Sequence, residues 1–160
     1  MYEWCDLPVP TGLSLSVEAG PAGVRRIEFG SRGITYHSLP LMRETLAQLR
    51  AYFAGDLRVF DVPLEVVGTD FQKRVWNALR TIPFGETRSY SQIAGQIGSP
   101  RAVRAVGAAN GRNPIPIIVP CHRVIGASGS LVGFGGGLEW KRFLLGLEAT
   151  NVERSRKATA

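Results

Sequence analysis

The amino-terminal part of the chain alternates apolar and polar residues over short stretches, a period of two that is typical of β-strands. A glycine-rich turn at residues 20–23 separates two of these stretches. The strands are expected at residues 13–17, 24–29, 33–36 and 62–67. Between the last two, apolar residues at helical spacing predict a helix over residues 41–54, and Gly55 ends it. The pattern therefore predicts a small antiparallel sheet with one helix.

After Gly68 the apolar period becomes helical, and start signals mark three successive helices. Residues 69–72 and 89–92 each form a capping box, in which a hydroxyl residue and a glutamine three positions later satisfy backbone amides. Ser99 followed by Pro100 favours a third start. The helices are expected at residues 70–79, 90–97, 100–109 and, after a long connection, 138–147.

These two halves predict an α+β protein with a boundary near Gly68. Residues 1–67 are expected to form the sheet-plus-helix domain, and residues 68–150 a mainly helical domain. Residues 151–160 are expected to be a flexible tail, because chain ends are poorly ordered unless they are tied down.

The two short helices on either side of Gly98 predict a helix-turn-helix, although an ordinary packed helix pair has the same pattern. In the second of them Val103 and Val106 can face a core. The opposite face then carries small and basic residues, namely Arg101, Arg104, Ala105 and Ala108. Such a flat basic face suits close approach to a narrow DNA groove, but it equally suits tight packing against another helix.

Charge separates the two halves. Residues 1–67 carry six Lys and Arg against eight Asp and Glu, whereas residues 68–160 carry thirteen against five. The net charges are therefore −2 and +8, which favours a polyanionic partner for the second half. No apolar run reaches the ~18–20 residues that a membrane span needs, and the start of the chain does not resemble a signal peptide.

The chain has two cysteines, which fit a reducing cytoplasmic compartment better than a disulfide framework. Their spacing to the two histidines matches no common zinc site, so no metal is expected. Cys121 stands beside His122 and Arg123, and a base or cation lowers the pKa of a thiol and favours its nucleophilic thiolate. The alternative is an inert, buried thiol.

Two further features follow this cysteine. The glycine-rich residues 133–137 allow close backbone approach to a ligand but lack the Gly-Lys-Ser/Thr ending of a phosphate-binding loop. Within them, Phe134 is either a stacking wall for a planar ring or part of the core. Glu148 lies among apolar residues, so it either turns inward to orient His122 or is solvated.

Taken together, these motifs resemble the O6-alkylguanine-DNA alkyltransferases, also called methylated-DNA–protein-cysteine methyltransferases. The resemblance covers nearly the whole chain and is strongest from Thr69 to Glu148. The matching segments are residues 82–87, 89–90, 104–107, 113–114 and 120–124, together with the glycine-rich loop and Glu148. The chain departs from many members in having Phe134 where they have Tyr, and Val132 where Thr or Gly is common. It also lacks the zinc ligands that some members carry.

The resemblance implies DNA repair by a single, irreversible transfer of an alkyl group from O6-alkylguanine, and less readily from O4-alkylthymine, to Cys121. The damaged base is itself the alkyl donor, so no cofactor is implied. The base must leave the duplex to reach the thiol. Because side chains alternate along an extended chain, a water is expected to link Cys121 and His122. The catalytic residues implied are Cys121, His122, Glu148, Asn113 and Tyr90.

The family likeness also assigns the surfaces that meet DNA. Arg104 would fill the space that the flipped base leaves. The residues implied in minor-groove DNA binding are Arg104, Tyr90, Ser89, Arg101, Ala102, Ala105, Ala108, Arg112 and Arg123. Those implied in the base pocket are Phe134, Gly135, Val124, Pro116 and Val132. The amino-terminal domain would be ribonuclease-H-like, and the protein a cytoplasmic monomer without membrane contact.

Three rival functions share parts of this pattern. A non-catalytic sensor of alkylated bases would bind the lesion without a nucleophile, whereas this chain has Cys121. A cysteine hydrolase or redox protein would leave the basic helix-turn-helix unexplained, and no Cys-x-x-Cys motif is present. A methylation-dependent regulator is the third alternative.

Overall fold

The computed structural model describes residues 1–129, 134 and 136–159. The chain divides into two compact units. The first contains Met1–Val67 and Pro114–Pro116, and the second Gly68–Asn113 and Ile117–Ala160. An antiparallel sheet with one helix, followed by a mainly helical part, confirms the predicted α+β class.

The first unit is built on three antiparallel strands in the order β1 (Glu3–Pro8), β2 (Ser14–Gly20) and β3 (Gly23–Phe29). The middle strand pairs Val17 with Cys5 on one side and with Ile27 on the other, and all three side chains are buried. Helix α1 (Pro40–Ala54) contacts β2 and β3 with its apolar face. It ends at Gly55, whose positive φ of 84° is readily adopted by glycine.

Two of the predicted strands are wrong, and β1 was not predicted. The stretch at residues 33–36 makes no ladder; its amides at Gly33 and Ile34 donate instead to the Asp6 carboxylate. The stretch at residues 62–67 makes a single bridge between Leu64 and Val24, and the neighbouring Pro63 has no N–H to extend a ladder. Alternation alone does not show whether a stretch has a partner strand.

The second unit contains four helices among the described residues: α2 (Asp70–Leu79), α3 (Tyr90–Gln96), α4 (Val103–Gly111) and α5 (Leu138–Thr159). Both predicted capping boxes, at Thr69 and Ser89, are confirmed. A short parallel pair joins β4 (Arg88–Ser89) to β5 (Val124–Ile125). Helices α2, α3 and α4 pack on one another around Val75, Ile93 and Val106, all of which are fully buried.

Two helix boundaries differ from prediction by three or more residues. Helix α4 begins at Val103 rather than Pro100, because Ser99 accepts a hydrogen bond from the Ala102 amide and closes a turn before the helix. Helix α5 continues to Thr159 instead of ending at Leu147. The residues beyond Glu148 include good helix formers and no proline, so nothing stops the helix there. The expected flexible tail is thus helical through Thr159.

Among the described residues, no helix is both long and apolar enough to cross a membrane.

Candidate active site

Cys121 begins a single 3₁₀ turn, Cys121–Arg123, that connects the segment after α4 to β5. Among the apolar residues before it, Ile117 and Ile118 form a turn, and Ile117 has a positive φ of 75°. Such a conformation is rare for a β-branched residue and is held by surrounding packing; the Ile117 side chain is 1% exposed. The turn brings the His122 and Arg123 side chains to the same carboxylate, that of Glu148.

The Cys121 thiol is buried, with 4% of the residue exposed. Burial raises its pKa to about 11, although a hydrogen bond from Asn113 and the positive charge of Lys141 partly oppose the rise. Neighbouring groups do lower the pKa of this thiol, but burial outweighs them, so the expected net lowering is wrong for the free protein. Removal of water from the thiolate outweighs the attraction of the nearby cation, so the resting form is the thiol.

His122 and Glu148 form the predicted pair, and both side chains are buried. The His122 Nε2 and Glu148 Oε2 atoms are 2.6 Å apart. Burial lowers the pKa of His122, against the effect of Glu148, so the imidazole is neutral. With Nε2–H donating to the carboxylate, Nδ1 is the acceptor nitrogen. The Nδ1 atom has no hydrogen-bond partner among the described residues.

Glu148 accepts hydrogen bonds from several groups. Besides His122, it accepts from the Gly85 amide at 3.1 Å and from Arg123 through Nε at 2.9 Å and Nη2 at 3.0 Å. Burial by itself raises the pKa of this carboxyl, but the hydrogen bonds from His122 and Arg123 and the positive charge of Arg123 outweigh it and hold the pKa well below its usual range. Glu148 is therefore a carboxylate that faces inward, which decides between the two sequence alternatives.

Arg123 is a correction to the predicted DNA-binding set. It is 6% exposed, and its Nη1 donates to the Ile82 carbonyl at 2.7 Å while its other nitrogens bind Glu148. Its guanidinium is thus committed inside the unit and is not presented to a phosphate. A fork-like pair of this kind orients a carboxylate rigidly.

Asn113 and Tyr90 approach the cysteine from α4 and α3. Asn113 Nδ2 donates to the Val119 carbonyl at 2.7 Å, so it ties the end of α4 to the cysteine segment. Tyr90, the first residue of α3, is partly buried. Burial and the nearness of Cys121 raise the pKa of its hydroxyl, and a hydrogen bond from Asn110 partly lowers it.

Two site residues were missed by sequence reasoning. Asn110, in the last turn of α4, is buried and donates from Nδ2 to the Cys121 carbonyl at 3.4 Å. Lys141 is completely buried, and its Nζ donates to the Val124 carbonyl at 2.6 Å. A sequence signal for Lys141 did exist, since it lies seven residues before Glu148 on the same face of α5.

The predicted DNA-facing residues lie where the helix-turn-helix exposes them. Most of them are exposed on α4 and the turn before it or just after it, namely Arg101, Arg104, Ala105, Ala108 and Arg112. Ala102 is half-buried, and Ser89 caps α3. A surface cavity of about 210 Å³ lies between α4 and the start of α2 and includes Ala105 and Arg112 in its lining. The exposed surface of α4 and its flanking turns therefore carries small and basic residues.

The structure describes three of the five residues that were predicted to line the base pocket. Val124 is fully buried, Phe134 is half-buried, and Pro116 is buried within the first unit. Val132 and Gly135 lie outside the described residues. Their predicted contribution to the pocket stays a prediction.

Fold and site together define a two-unit protein whose helix-turn-helix part carries a buried thiol beside a histidine–glutamate pair. Residues 70–150 match the family model described as 6-O-methylguanine DNA methyltransferase, DNA binding domain. The chain belongs to this family.

Known relatives agree with this assignment. A methylated-DNA–protein-cysteine methyltransferase of Mycobacterium tuberculosis is 71% identical over 105 residues, which are 66% of this chain and 64% of that protein. The crystal structure of the M. tuberculosis O6-methylguanine methyltransferase superposes with a TM-score of 0.84 at 49% identity, covering 94% of each chain. That of M. tuberculosis OGT in complex with DNA gives 0.82 at 52% identity, covering 92% of this chain and 93% of the other.

Proposed function

We propose that this protein repairs DNA by moving the alkyl group of O6-alkylguanine, and less readily that of O4-alkylthymine, irreversibly onto Cys121. The observation that carries the proposal is the buried set of Cys121, His122 and Glu148, in which the histidine keeps one acceptor nitrogen and has its other nitrogen fixed by a carboxylate. Family membership and the exposed basic face of α4 support DNA as the partner.

The reaction is a displacement at carbon. The Cys121 sulfur forms a bond to the alkyl carbon while the bond from that carbon to O6 breaks, and the electron pair stays with the purine. The thiol proton leaves through a water to His122 Nδ1, and Glu148 stabilises the resulting imidazolium. Because the pKa of the resting thiol is about 11, deprotonation accompanies substrate entry rather than preceding it.

The leaving purine needs a proton to depart as neutral guanine. We assign this proton to the Tyr90 hydroxyl, whose pKa is raised by burial and by the nearby Cys121. Solvent later returns the proton to Tyr90. The thioether product is not reset by hydrolysis, so each molecule acts once and no cofactor takes part.

The alkyl carbon of a stacked base is out of reach of a buried thiol, so the damaged nucleotide must rotate out of the duplex. We place Arg104 in the vacated space, with the small exposed Ala105 and Ala108 against the minor groove. Ser89, Arg101, Ala102 and Arg112 bind the backbone nearby. The protein acts as a cytoplasmic monomer in this proposal.

Intact mass measurement tests the central claim. Incubation with a duplex containing O6-methylguanine should raise the protein mass by one CH₂ group, and peptide mapping should place it on Cys121. Cys121→Ser should bind the same duplex without any mass change. An unmodified wild-type protein that still binds the lesion would favour the sensor function instead.

A second experiment tests base flipping. Arg104→Ala should slow transfer from duplex DNA by about 100-fold, because the rotated state loses the side chain that holds it open. Transfer from the free base O6-benzylguanine should change little. Equal losses with both substrates would rule out this role for Arg104.

A further inference from the structure

We infer that Val152 is a positioning residue of the active site. It holds the turn at residues 82–86 in place, and through the Gly85 amide this turn keeps the Glu148 carboxylate aimed at His122. The inference rests on the proposed alkyl transfer. It gives a role to the part of α5 that continues beyond Glu148, which the reaction itself does not use.

The turn at residues 82–86 is tied to the guanidinium of Arg123. Arg123 donates from Nη1 to the Ile82 carbonyl at 2.7 Å, and its guanidinium carbon lies 5.7 Å from the centre of the Phe84 ring, within the range of a cation–π contact. The same guanidinium binds Glu148 through Nε and Nη2. The turn and the carboxylate therefore share one buried cation as a neighbour.

Gly85 connects the turn to the carboxylate directly. Its amide donates to Glu148 Oε1 at 3.1 Å, whereas Oε2 lies 2.6 Å from His122 Nε2. Arg123 donates to both oxygens and so does not distinguish them, but the Gly85 amide binds Oε1 only. This bond restricts rotation of the carboxylate, and Oε2 stays directed at the imidazole.

Val152 stands where a side chain on Gly85 would be. A Cβ atom added to Gly85 would lie 2.5 Å from Val152 Cγ2, a separation that carbon atoms do not tolerate. The Val152 side chain therefore packs directly on the Gly85 backbone. Because Val152 follows Glu148 by four residues, the two side chains lie on the same face of α5. Glu148 thus binds the amide of Gly85, and Val152 contacts its α-carbon.

The test is a double-mutant cycle between Gly85 and Val152. Gly85→Ala should slow single-turnover transfer from O6-methylguanine duplex by about tenfold, because the clash with Val152 moves the turn and one hydrogen bond to Glu148 is lost. Val152→Ala alone should slow transfer by a smaller factor, since the turn is held less tightly. The double variant should transfer as fast as Val152→Ala, because the nearest remaining atom of residue 152 is then 3.6 Å from the new Cβ, an ordinary contact.

Gly12→Ala is the matched control for backbone strain. Gly12 has a positive φ of 79°, close to the 82° of Gly85. Its own chain neighbours aside, no atom of the described residues lies within 4 Å of where its Cβ would stand. Gly12→Ala therefore introduces the same strain without a clash and should transfer at the wild-type rate.

A proton resonance separates an effect on the site from a general loss of stability. In the free wild-type protein the proton between His122 Nε2 and Glu148 Oε2 should resonate far downfield, because the hydrogen bond is short and involves a carboxylate. The resonance should move upfield in Gly85→Ala, less so in Val152→Ala, and stay in place in Gly12→Ala. In the double variant it should return to its position in Val152→Ala.

Two results would overturn the inference. One is slow transfer by Gly85→Ala that Val152→Ala does not relieve, and the other is an unshifted resonance in a slow Gly85→Ala protein. If Gly85→Ala does not fold, Val152→Ala decides alone, and a wild-type rate with an unshifted resonance would overturn the inference. Because the resonance is measured without DNA, expected shifts in a protein that takes up no alkyl group would reject the proposed function and leave the positioning of Glu148 intact.

Discussion

Among the described residues, each of the two compact units buries one cysteine and one carboxylate, but only in the second unit do they belong to one site. In the first unit Cys5 and Asp6 are adjacent on β1, and burial with the neighbouring acid raises the pKa of the thiol. In the second unit the pKa of Cys121 is also raised by burial, but Asn113 and Lys141 act in the opposite direction. Burial raises the pKa of both thiols, and the two differ in how their neighbours change that pKa.

The two carboxylates differ in the same way. Asp6 accepts from the hydroxyls of Ser16 and Ser31 and from the backbone amides of residues 32–34, none of which changes its protonation state at moderate pH. Glu148 instead binds an imidazole and a guanidinium. Both carboxyl pKa values lie well below the usual range despite burial. A depressed carboxyl pKa thus shows that the carboxylate is strongly hydrogen-bonded. Such a carboxylate contributes to acid–base chemistry only where one of its partners can itself gain or lose a proton.

The largest expected effect comes from removing each of the two thiols in turn. Cys121→Ser should abolish alkyl uptake completely, because a buried hydroxyl is a far weaker nucleophile than a thiolate. Cys5→Ala should take up one alkyl group per molecule at the wild-type rate, with a loss of stability of about 1 kcal/mol. Intact mass after exposure to O6-methylguanine duplex measures both. Residual alkyl uptake by Cys121→Ser, or an alkyl adduct on Cys5, would show that the two cysteines do not differ in reactivity as proposed.

Glu148→Gln should have the next largest effect. An amide cannot stabilise an imidazolium, so transfer should slow by about 100-fold. The buried Arg123 also loses its counter-charge, which should cost about 3 kcal/mol of unfolding free energy near neutral pH. Rapid-quench kinetics and urea unfolding measure the two effects.

The pH dependence of the Glu148→Gln stability loss has a definite sign. Because the folded pKa of Glu148 is depressed, the carboxylate stabilises the wild-type protein above its unfolded pKa near ~4, and this stabilisation is lost as the pH falls through the folded value. The stability difference between the two proteins should therefore shrink below pH ~4. A difference that stays constant with pH would show that the negative charge is not what stabilises the fold.

Lys141→Met should have a smaller effect, about tenfold. The buried cation favours the Cys121 thiolate, so removing it should raise the pKa of the thiol further. Alkylation by iodoacetamide in a Cys5→Ala background measures the change, and both proteins should react faster as the pH rises toward 10. Lys141→Arg should recover most of the rate, and Arg142→Met, which alters the exposed neighbour, should leave it unchanged. Equal alkylation rates for Lys141→Met and the wild type would show that the charge of Lys141 does not affect the pKa of the Cys121 thiol.

Much of the second unit could be predicted because its signals are local. Each capping box contains its own start signal, so α2 and α3 were placed correctly. Cys121, His122 and Glu148 could be named from motifs that resemble a family. Arg123 was misplaced because its charge suggests a phosphate, whereas its real partner lies 25 residues away on α5. Asn110 was missed because sequence alone did not show which polar side chain of the short helix α4 faces inward, and Lys141 was missed although it lies seven residues before Glu148 on α5.

The strands of the first unit were harder to predict because their pairing depends on residues that are distant along the chain. Strand β1 depends on pairing with β2, and residues 33–36 alternate without having a partner strand. Whether such stretches form a ladder is decided by contacts that are distant along the chain. Helix α1 was found because its apolar spacing and its glycine terminator are both local.

Asp6→Asn should have the smallest effect on alkyl transfer of the variants compared. The carboxylate holds the loop at residues 31–34 through donors on every side, and an amide would turn an N–H toward some of them. The variant should lose about 2 kcal/mol of unfolding free energy at neutral pH, since charge-assisted hydrogen bonds disappear. As with Glu148, the depressed pKa means that this loss should fade below pH ~4. Alkyl transfer, measured in the same preparation, should proceed at the wild-type rate. A slow but stable Asp6→Asn protein would show that the first unit contributes to the chemistry, which its buried carboxylate, surrounded by neutral donors, gives no reason to expect.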